Sequence, residues 1–220
     1  LIPTDGYFNS AEEVQAYQKD GVLIQPSAEP GDIRFKDTNN DGTINDDDRV
    51  YSGSPFPQFT YSINGNITYK NVDFSIGFQG VAGNKIYNAT RLALTDVTRG
   101  TNYLASTLDY WTPENHNASQ PRLIWTDPNR NARSESDRYL ENGSYFRLRN
   151  LQVGYTLPAA WFHGFVQKAR VYVNAENLFT ITSYSGYTPD VNSSNVYSPG
   201  FHEFIYPSNR TFMLGLNVTF

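Results

Sequence analysis

Apolar and polar residues alternate along the stretch from Phe59 to Val81, with a break at Lys70 and Asn71. A period of two is expected of β-strands that have one apolar and one polar face. If Lys70 and Asn71 form the two-residue loop of a hairpin, the apolar residues of both strands fall on the same face. The predicted pairs are Tyr69 with Val72, Ile67 with Phe74 and Ile63 with Phe78.

Three further stretches show the same alternation. The five predicted strands cover residues 57–69, 71–83, 145–157, 170–182 and 210–220. A tilted strand needs roughly 9 to 11 residues to cross a bilayer, whereas strands of soluble sheets more often have about 5 or 6. The pattern therefore predicts an all-β fold of antiparallel transmembrane β-barrel strands, with apolar rows against lipid and polar rows facing an enclosed space.

Two long segments, residues 84–144 and 183–209, lack this alternation, and the turns between the other strands are short. If the last strand ends at the periplasm, every long segment is an extracellular loop and both short turns lie inside, as in outer-membrane barrels. Trp111, Trp125 and Tyr110 could stack on a ligand ring, but packing of the loop onto itself or onto a partner is favoured.

Arg147 and Arg149 are predicted to continue the apolar face of the strand over residues 145–157 toward the long loop. Charge is costly within lipid but not above it, so these arginines would mark the outer boundary of the membrane. Their partners would be lipid phosphates or a carboxylate of a neighbouring loop, and the sequence leaves both open.

Residues 1–56 are predicted to form an extracellular region with one short helix, capped by Ser10. Within this region, residues 37–48 follow the spacing of an EF-hand calcium loop, with a closing Asp that is more similar to dockerin-type loops. The predicted ligands are the side chains of Asp37, Asn39, Asp41 and Asp48 and the carbonyl of Thr43, with Asn45 in direct or water-mediated contact. Bound calcium would rigidify the loop. The alternative is a run of Asx turns without a cation.

Composition narrows the possible functions. The chain has 220 residues, a formal net charge of -5 and no cysteine. It has no apolar run of about 20 residues, which excludes a membrane-spanning helix, and no basic stripe suited to nucleic acid. The 15% aromatic content fits the aromatic girdles of a barrel, a β-sandwich or a carbohydrate-binding surface. Because the chain begins at Leu1 without a signal peptide, a processed precursor or a piece of a longer chain is expected.

An enzyme is not expected from these residues. His116, His163 and His202 stand apart without metal-ligand spacing. The sequence also contains neither a Gly-x-Ser-x-Gly elbow nor a phosphate-cradling glycine loop.

Several motifs, which together span nearly the whole chain, resemble those of one protein family. They are Pro30–Asp37 leading into Asn40–Gly42 and Asp47–Arg49, Phe78–Gly80 with Asn84–Asn88, Gly143–Leu151, Gly154–Pro158, Asn174–Thr180 and a terminal strand ending in Phe220. With these motifs the chain resembles the C-terminal part of a SusC/RagA-type TonB-dependent outer-membrane transporter of Bacteroidetes.

This resemblance implies a barrel of about 22 strands in the outer membrane of a Gram-negative cell. It also implies an N-terminal plug, contact with the TonB complex through a part outside this chain, a SusD-like surface lipoprotein as partner, and import of oligosaccharides or peptides. Small closed barrels start at about eight strands, so the rest of the barrel would come from elsewhere.

Two alternatives stay open. A soluble, calcium-stabilised β-sandwich that binds glycans would explain the alternation and the aromatic residues, but not the length of the strands. A passive porin would share the barrel and lack the plug. Apolar rows stacked against a second sheet would favour the sandwich over both membrane proteins.

Overall fold

A computed structural model describes residues 1–162, 165–190 and 197–220. The chain divides into two compact units. The first comprises Leu1–Gly53, Tyr87–Leu140 and Phe201–Phe204, and the second comprises Ser54–Ile86, Glu141–Gly200 and Ile205–Phe220. Most of the long segment predicted as a loop over residues 84–144 thus folds together with the N-terminal residues.

Short strands and helices are interspersed along the chain with five long strands. The strands are β1 (Thr4–Tyr7), β2 (Gln18–Lys19), β3 (Val22–Leu23), β4 (Ile33–Phe35), β5 (Phe59–Tyr69), β6 (Val72–Ala82), β7 (Lys85–Asn88), β8 (Leu140–Asn142), β9 (Tyr145–Leu157), β10 (Lys168–Thr182), β11 (Phe201–His202) and β12 (Thr211–Thr219). The α-helices are α1 (Ala11–Ala16) and α2 (Ala89–Thr95), and 3-10 turns cover Asp46–Asp48, Val97–Arg99, Ala105–Leu108, Asp137–Tyr139 and Ala159–Phe162. No helix within the described ranges is both long and apolar enough to cross a membrane.

The second unit is built on one antiparallel sheet with the strand order β12-β10-β9-β6-β5. Each of these strands begins and ends within two residues of its predicted bounds. The hairpin of β5 and β6 pairs Tyr69 with Val72, Ile67 with Phe74 and Ile63 with Phe78, so the predicted register is confirmed. The all-β class predicted from the alternation is confirmed as well.

A β-bulge at Arg149 changes the phase of β9. The pairs on its two sides are Gly77 with Asn150 and Phe78 with Leu148. Phe146 and Leu148 therefore join the apolar face, and Arg147 lies on the polar face. The prediction that Arg147 continues the apolar face was wrong, because one extra residue in a strand reverses the faces of all residues beyond it.

The first unit has a small apolar core and a capped helix. The buried side chains of the core form two clusters, Ile2 with Ile33 and Phe35, and Phe8 with Val14 and Ala28. Helix α1 begins after Ser10, whose Oγ accepts a hydrogen bond of 3.3 Å from the Glu13 N–H. The predicted cap at Ser10 is therefore confirmed.

A buried carboxylate holds β4 in place within the first unit. Asp32 is fully buried and accepts hydrogen bonds from Arg122 Nε at 2.6 Å, Arg122 Nη2 at 2.9 Å and Asn131 Nδ2 at 2.8 Å. Asn131 Oδ1 in turn accepts from the Ile33 N–H at 2.8 Å. The hydrogen bonds to Asp32 raise the pKa of Arg122 above its ordinary value. This network joins residues about 90 positions apart and fixes where the following loop starts.

Gly80 and Gly65 lie in the same hairpin but differ in the space around them. A Cβ added to Gly80 would lie 2.4 Å from the Tyr145 carbonyl oxygen and 2.4 Å from the Tyr61 hydroxyl oxygen. The Tyr61 hydroxyl donates to that carbonyl at 3.3 Å, across the glycine. At Gly65, the nearest heavy atom to an added Cβ would be Ile76 Cγ2, at an ordinary contact distance of 3.4 Å.

Gly80→Ala should therefore lower the free energy of unfolding by about 1 to 3 kcal/mol, because the backbone of β9 has to move away. Gly65→Ala is the matched control and should be neutral or stabilising by up to about 1 kcal/mol. Urea unfolding of the protein in lipid vesicles, followed by tryptophan fluorescence, measures both. Equal effects of the two substitutions would contradict the close approach of β9 to Gly80.

Candidate functional site

The five-stranded sheet of the second unit has one face made of large apolar side chains. Its exposed members are Phe59, Ile63, Ile67, Tyr69, Val72, Val153, Tyr155, Val171, Val173, Phe179, Ile181, Phe212, Leu214, Leu216 and Val218. Leu214 is 77% exposed and Ile63 is 61% exposed, although both lie near the middle of long strands. A contiguous apolar face of this kind is a surface for lipid or for another protein.

The two outer strands of this sheet, β5 and β12, each pair with a single neighbour within the described residues. Each therefore has one row of backbone N–H and C=O groups without a strand partner. Residues of β5 are exposed over nearly its whole length, and so are those of β12. The sheet has the geometry of a section of a larger sheet.

The opposite face carries hydroxyl and amide groups and neutralised charges. Arg170 on β10 donates through Nε to Asp73 Oδ1 on β6 at 2.8 Å. The pair crosses the intervening strand β9 above Gly154, where an added Cβ would lie 2.4 Å from Arg170 Nη2. Glycine at this position therefore leaves room for an ion pair between strands that are not neighbours.

Arg147 forms a second charged cluster on the polar face. Its guanidinium contacts Asp190 Oδ2 at 3.0 Å, Thr188 Oγ1 at 3.2 Å and Thr180 Oγ1 at 2.9 Å. The side chain is only 5% exposed. Of the two partners left open by the sequence, Arg147 has the carboxylate of a neighbouring loop. Arg149 is exposed and donates to Gln79 Oε1 at 2.7 Å.

The loop over residues 37–48 follows directly on β4 and is organised around two aspartates. Asp37 accepts hydrogen bonds from the Gly42 N–H at 2.8 Å and from the Asp41 N–H at 3.1 Å. Gly42 has a φ of +91°, which favours glycine at the turn. These bonds close the first half of the loop.

Asp41 gathers the side chains of the other predicted ligands. Its carboxylate accepts from Asn39 Nδ2 at 2.9 Å, from the Thr43 hydroxyl at 2.8 Å and from Asn45 Nδ2 at 3.2 Å. These hydrogen bonds, led by that from Asn39, lower the pKa of Asp41 to about 2. The carboxylate is therefore ionised at neutral pH and lies at the centre of the loop.

Asp48 closes the loop from its far end. It is fully buried, and its two oxygens accept from the Thr38 N–H at 2.7 Å and from the Asn45 N–H at 2.8 Å. Asp48 is thus the third residue of a capping box on the 3-10 turn.

The structure brings Asn39, Asp41 and Thr43 together, places Asp37 on the same turn, and directs Asp48 to the backbone. Within the described ranges, no three His, Cys, Asp or Glu side chains form a metal-binding group. The donor set here instead combines carboxylate, amide and hydroxyl oxygens, which suit a hard cation such as Ca²⁺. The same hydrogen bonds are those of consecutive Asx turns, the alternative that the sequence left open.

The aromatic and histidine side chains noted in the sequence have different surroundings. Trp111 is buried and stacks on His116 at a ring distance of 5.4 Å, which is packing within the first unit. Trp125 is 64% exposed and Tyr110 is 37% exposed. His202 is buried. His163 lies outside the described residues.

Sequence reasoning missed the Asp32 network and the face of Arg147, although a carboxylate of a neighbouring loop was among the partners it left open for Arg147. The signal for the second was present, since the apolar residues of β9 change from even to odd positions between Leu148 and Leu151. Such a change of phase predicts a bulge. No comparable signal links Asp32 to Arg122, because the two residues lie far apart in the chain.

Comparison with known proteins identifies relatives of the whole chain. No protein-family model matches it. The TonB-dependent receptor P3 of Formosa agariphila is 36% identical over 206 residues, which cover 90% of this chain and 20% of that receptor. The TonB-dependent receptor SusC of Bacteroides thetaiotaomicron is 25% identical over 215 residues, which cover 96% of this chain and 20% of SusC.

The fold is also similar to that of solved structures. A structure of the RagAB peptide transporter matches with a TM-score of 0.63 and 26% sequence identity, over 77% of this chain and 18% of that chain. The chain spans about one-fifth of the length of the curated relatives it matches. It is therefore a homologue of part of the SusC/RagA-type TonB-dependent receptors, as its sequence motifs predicted.

Proposed function

We propose that this chain forms part of the barrel wall of a TonB-dependent importer in the outer membrane of a Gram-negative cell. One observation carries the proposal, namely that the sheet exposes a continuous apolar face in a chain whose relatives are TonB-dependent receptors. These relatives and the RagAB transporter are named as receptors and transporters, which supports a function other than catalysis.

A bilayer accounts for both faces and both edges of the sheet. The apolar rows contact hydrocarbon, and the polar rows face the interior of the barrel. Unpaired backbone groups in hydrocarbon cost several kcal/mol each, so β5 and β12 pair with strands from the rest of the same barrel. Exposed aromatic side chains at the turn end of the strands suit the membrane interface, namely Tyr69, Trp161, Phe165 and Phe220.

The partners and the solute follow from the relatives. The proposal includes a plug within the barrel, contact with the TonB complex through a part outside this chain, and a SusD-like surface lipoprotein. The solute is an oligosaccharide or a peptide. The RagAB transporter is named for peptides, whereas the names of the receptor P3 and of SusC give no solute, so both classes stay in the proposal.

A soluble β-sandwich is the alternative from another class of protein. It requires the apolar rows to stack against a second sheet. In the second unit these rows are exposed, with Val173 at 52% and Ile63 at 61%. This exposure supports the membrane protein over the sandwich.

Leu214→Arg tests the contact with lipid. Leu214 lies in the middle of β12 on the apolar face, and its neighbour Met213 lies on the polar face. Arginine near the bilayer midplane costs about 2 to 4 kcal/mol on a lipid-facing position, so Leu214→Arg should lower the stability of the folded receptor in vesicles by that amount. Met213→Arg is the matched control and should change it much less.

Urea unfolding of the complete receptor in lipid vesicles, followed by heat-modifiable mobility on gels, measures both variants. A loss for Met213→Arg equal to that for Leu214→Arg would contradict the assignment of the faces.

Import is tested by uptake into cells. Labelled oligosaccharides and labelled peptides should enter cells that carry the receptor and fail to enter matched cells without TonB. Uptake that persists without TonB would indicate a passive porin. Absence of the receptor from the outer-membrane fraction would contradict the proposal.

We also propose that residues 37–48 bind Ca²⁺ as a structural ion, with Asp37, Asn39, Asp41, Thr43 and Asp48 as the ligands expected from the sequence. The hydrogen bonds that Asn39, Thr43 and the neighbouring Asn45 donate to Asp41 bring these residues together, which supports the proposal. The ion would neutralise carboxylates that otherwise repel one another across a short loop.

Asp37→Ala together with Asp41→Ala should abolish Ca²⁺ binding in isothermal titration calorimetry of the complete receptor. Asp47→Ala removes one carboxylate at an exposed position of the same loop and should leave binding nearly unchanged. Heat of binding that is the same in all variants would rule out these ligands.

The stability of the loop should also depend on pH. Because the folded pKa of Asp41 is lowered to about 2, its stabilising hydrogen bonds are present above the ordinary carboxyl pKa of about 3.9 and are lost as the pH falls toward 2.

A further inference from the structure

A cleft opens where β10 continues past the start of β12. The first residue of β12, Thr211, pairs with Glu176, so β10 beyond Glu176 has no partner from β12. Residues 187–189 and 208–210 lie along this free edge and enclose a cleft of about 240 Å³. Its lining includes Arg147, Arg210, Thr180, Thr188, Phe179 and Tyr187.

Arg147 donates to the oxygens of two threonine hydroxyl groups in this cleft and so orients these hydroxyls as hydrogen-bond donors. Its Nε donates to Thr180 Oγ1 at 2.9 Å, and its Nη2 donates to Thr188 Oγ1 at 3.2 Å. Thr188 Oγ1 also accepts from the Asp190 N–H at 3.3 Å. Since guanidinium and amide N–H groups already occupy lone pairs of these oxygens, the hydroxyl hydrogens are left to donate to a ligand.

The charge balance of the cleft is positive. Arg147 is neutralised by Asp190, whose Oδ2 lies 3.0 Å from Nη1. Arg210 is exposed and makes no ion pair or hydrogen bond with any residue that the structure describes. The cleft therefore combines one uncompensated guanidinium with hydroxyl donors, which suits an anionic acceptor.

The size and the walls of the cleft limit what it holds. Pockets for drug-sized ligands start at about 300 Å³, so a cleft of about 240 Å³ fits a single sugar ring or a single residue of a peptide. Tyr187, which is 72% exposed, supplies aromatic surface beside the donors. An acidic group on a small ring or side chain would use both.

We propose that this cleft binds a carboxylate of the imported solute, with the Arg210 guanidinium as the cation and the Thr180 and Thr188 hydroxyls as further donors. A guanidinium matches a carboxylate in a bidentate geometry, which gives direction as well as attraction. The inference rests on the proposed import function only in assigning the carboxylate to a solute. Uronic acid sugars and the C-terminus of a peptide both supply this group.

The test measures binding to the complete receptor in detergent by saturation-transfer NMR. The probes are glucuronate against glucose, and alanyl-alanine against its C-terminal amide. At least one acid should bind about tenfold more tightly than its neutral counterpart, which is the effect of one charge-assisted hydrogen bond. Arg210→Gln should remove this preference. Lys168→Gln removes an exposed cation at the other end of β10 and should retain it.

The two acidic probes distinguish an acidic sugar from a peptide as the source of the carboxylate. A preference for glucuronate alone indicates an acidic sugar, a preference for the peptide acid alone indicates a peptide, and a preference for both indicates recognition of the carboxylate itself. Equal binding of acids and neutral probes, no binding of any probe, or a preference that survives Arg210→Gln would overturn the proposal. Binding in detergent does not require import. The binding experiment can therefore overturn the carboxylate site while import stands, and the uptake experiment can overturn import while the site stands.

Discussion

The apolar face of the five-stranded sheet is the feature on which the other properties of the second unit depend. Exposure of apolar surface to water costs about 25 cal/mol per Å², and large side chains such as Leu214 and Phe212 are mostly uncovered. A bilayer removes this cost along the whole face. It also requires that backbone groups at the sheet edges find partners, because hydrocarbon offers none. With the bilayer that we propose, long strands, exposed apolar rows and open edges have one common cause.

The polar face meets a different requirement, since it carries charged side chains that need partners. Arg170 is paired with Asp73, and Arg147 is paired with Asp190. Both pairs depend on local backbone features. Gly154 leaves space for the first, and the bulge at Arg149 turns Arg147 to this face for the second. Arg210 beside the cleft, by contrast, has no ion pair with any residue that the structure describes.

The first unit explains why the motif Pro30–Asp37 has its particular residues. Gly31 has a φ of +89° and lies against the Trp111 ring, where an added Cβ would be 2.4 Å away. Asp32 binds Arg122 and Asn131, while Ile33 and Phe35 enter the core. The motif therefore joins the N-terminal segment to the segment around residue 122. Asp37 at its end begins the loop that we propose binds calcium.

The sequence by itself determined the strands, their faces and the register of the β5–β6 hairpin, because alternation with a period of two and a two-residue turn are local properties of the chain. It also carried the motifs of the SusC/RagA-type receptors. The tertiary structure corrected the face of Arg147, since a single bulge residue, which the change of phase in β9 indicated, reverses the alternation that the prediction had extended. The contacts of Asp32 with Arg122, and the cleft beside Arg210, were likewise decided there. They join segments that are distant in sequence, and their geometry depends on how the intervening chain packs.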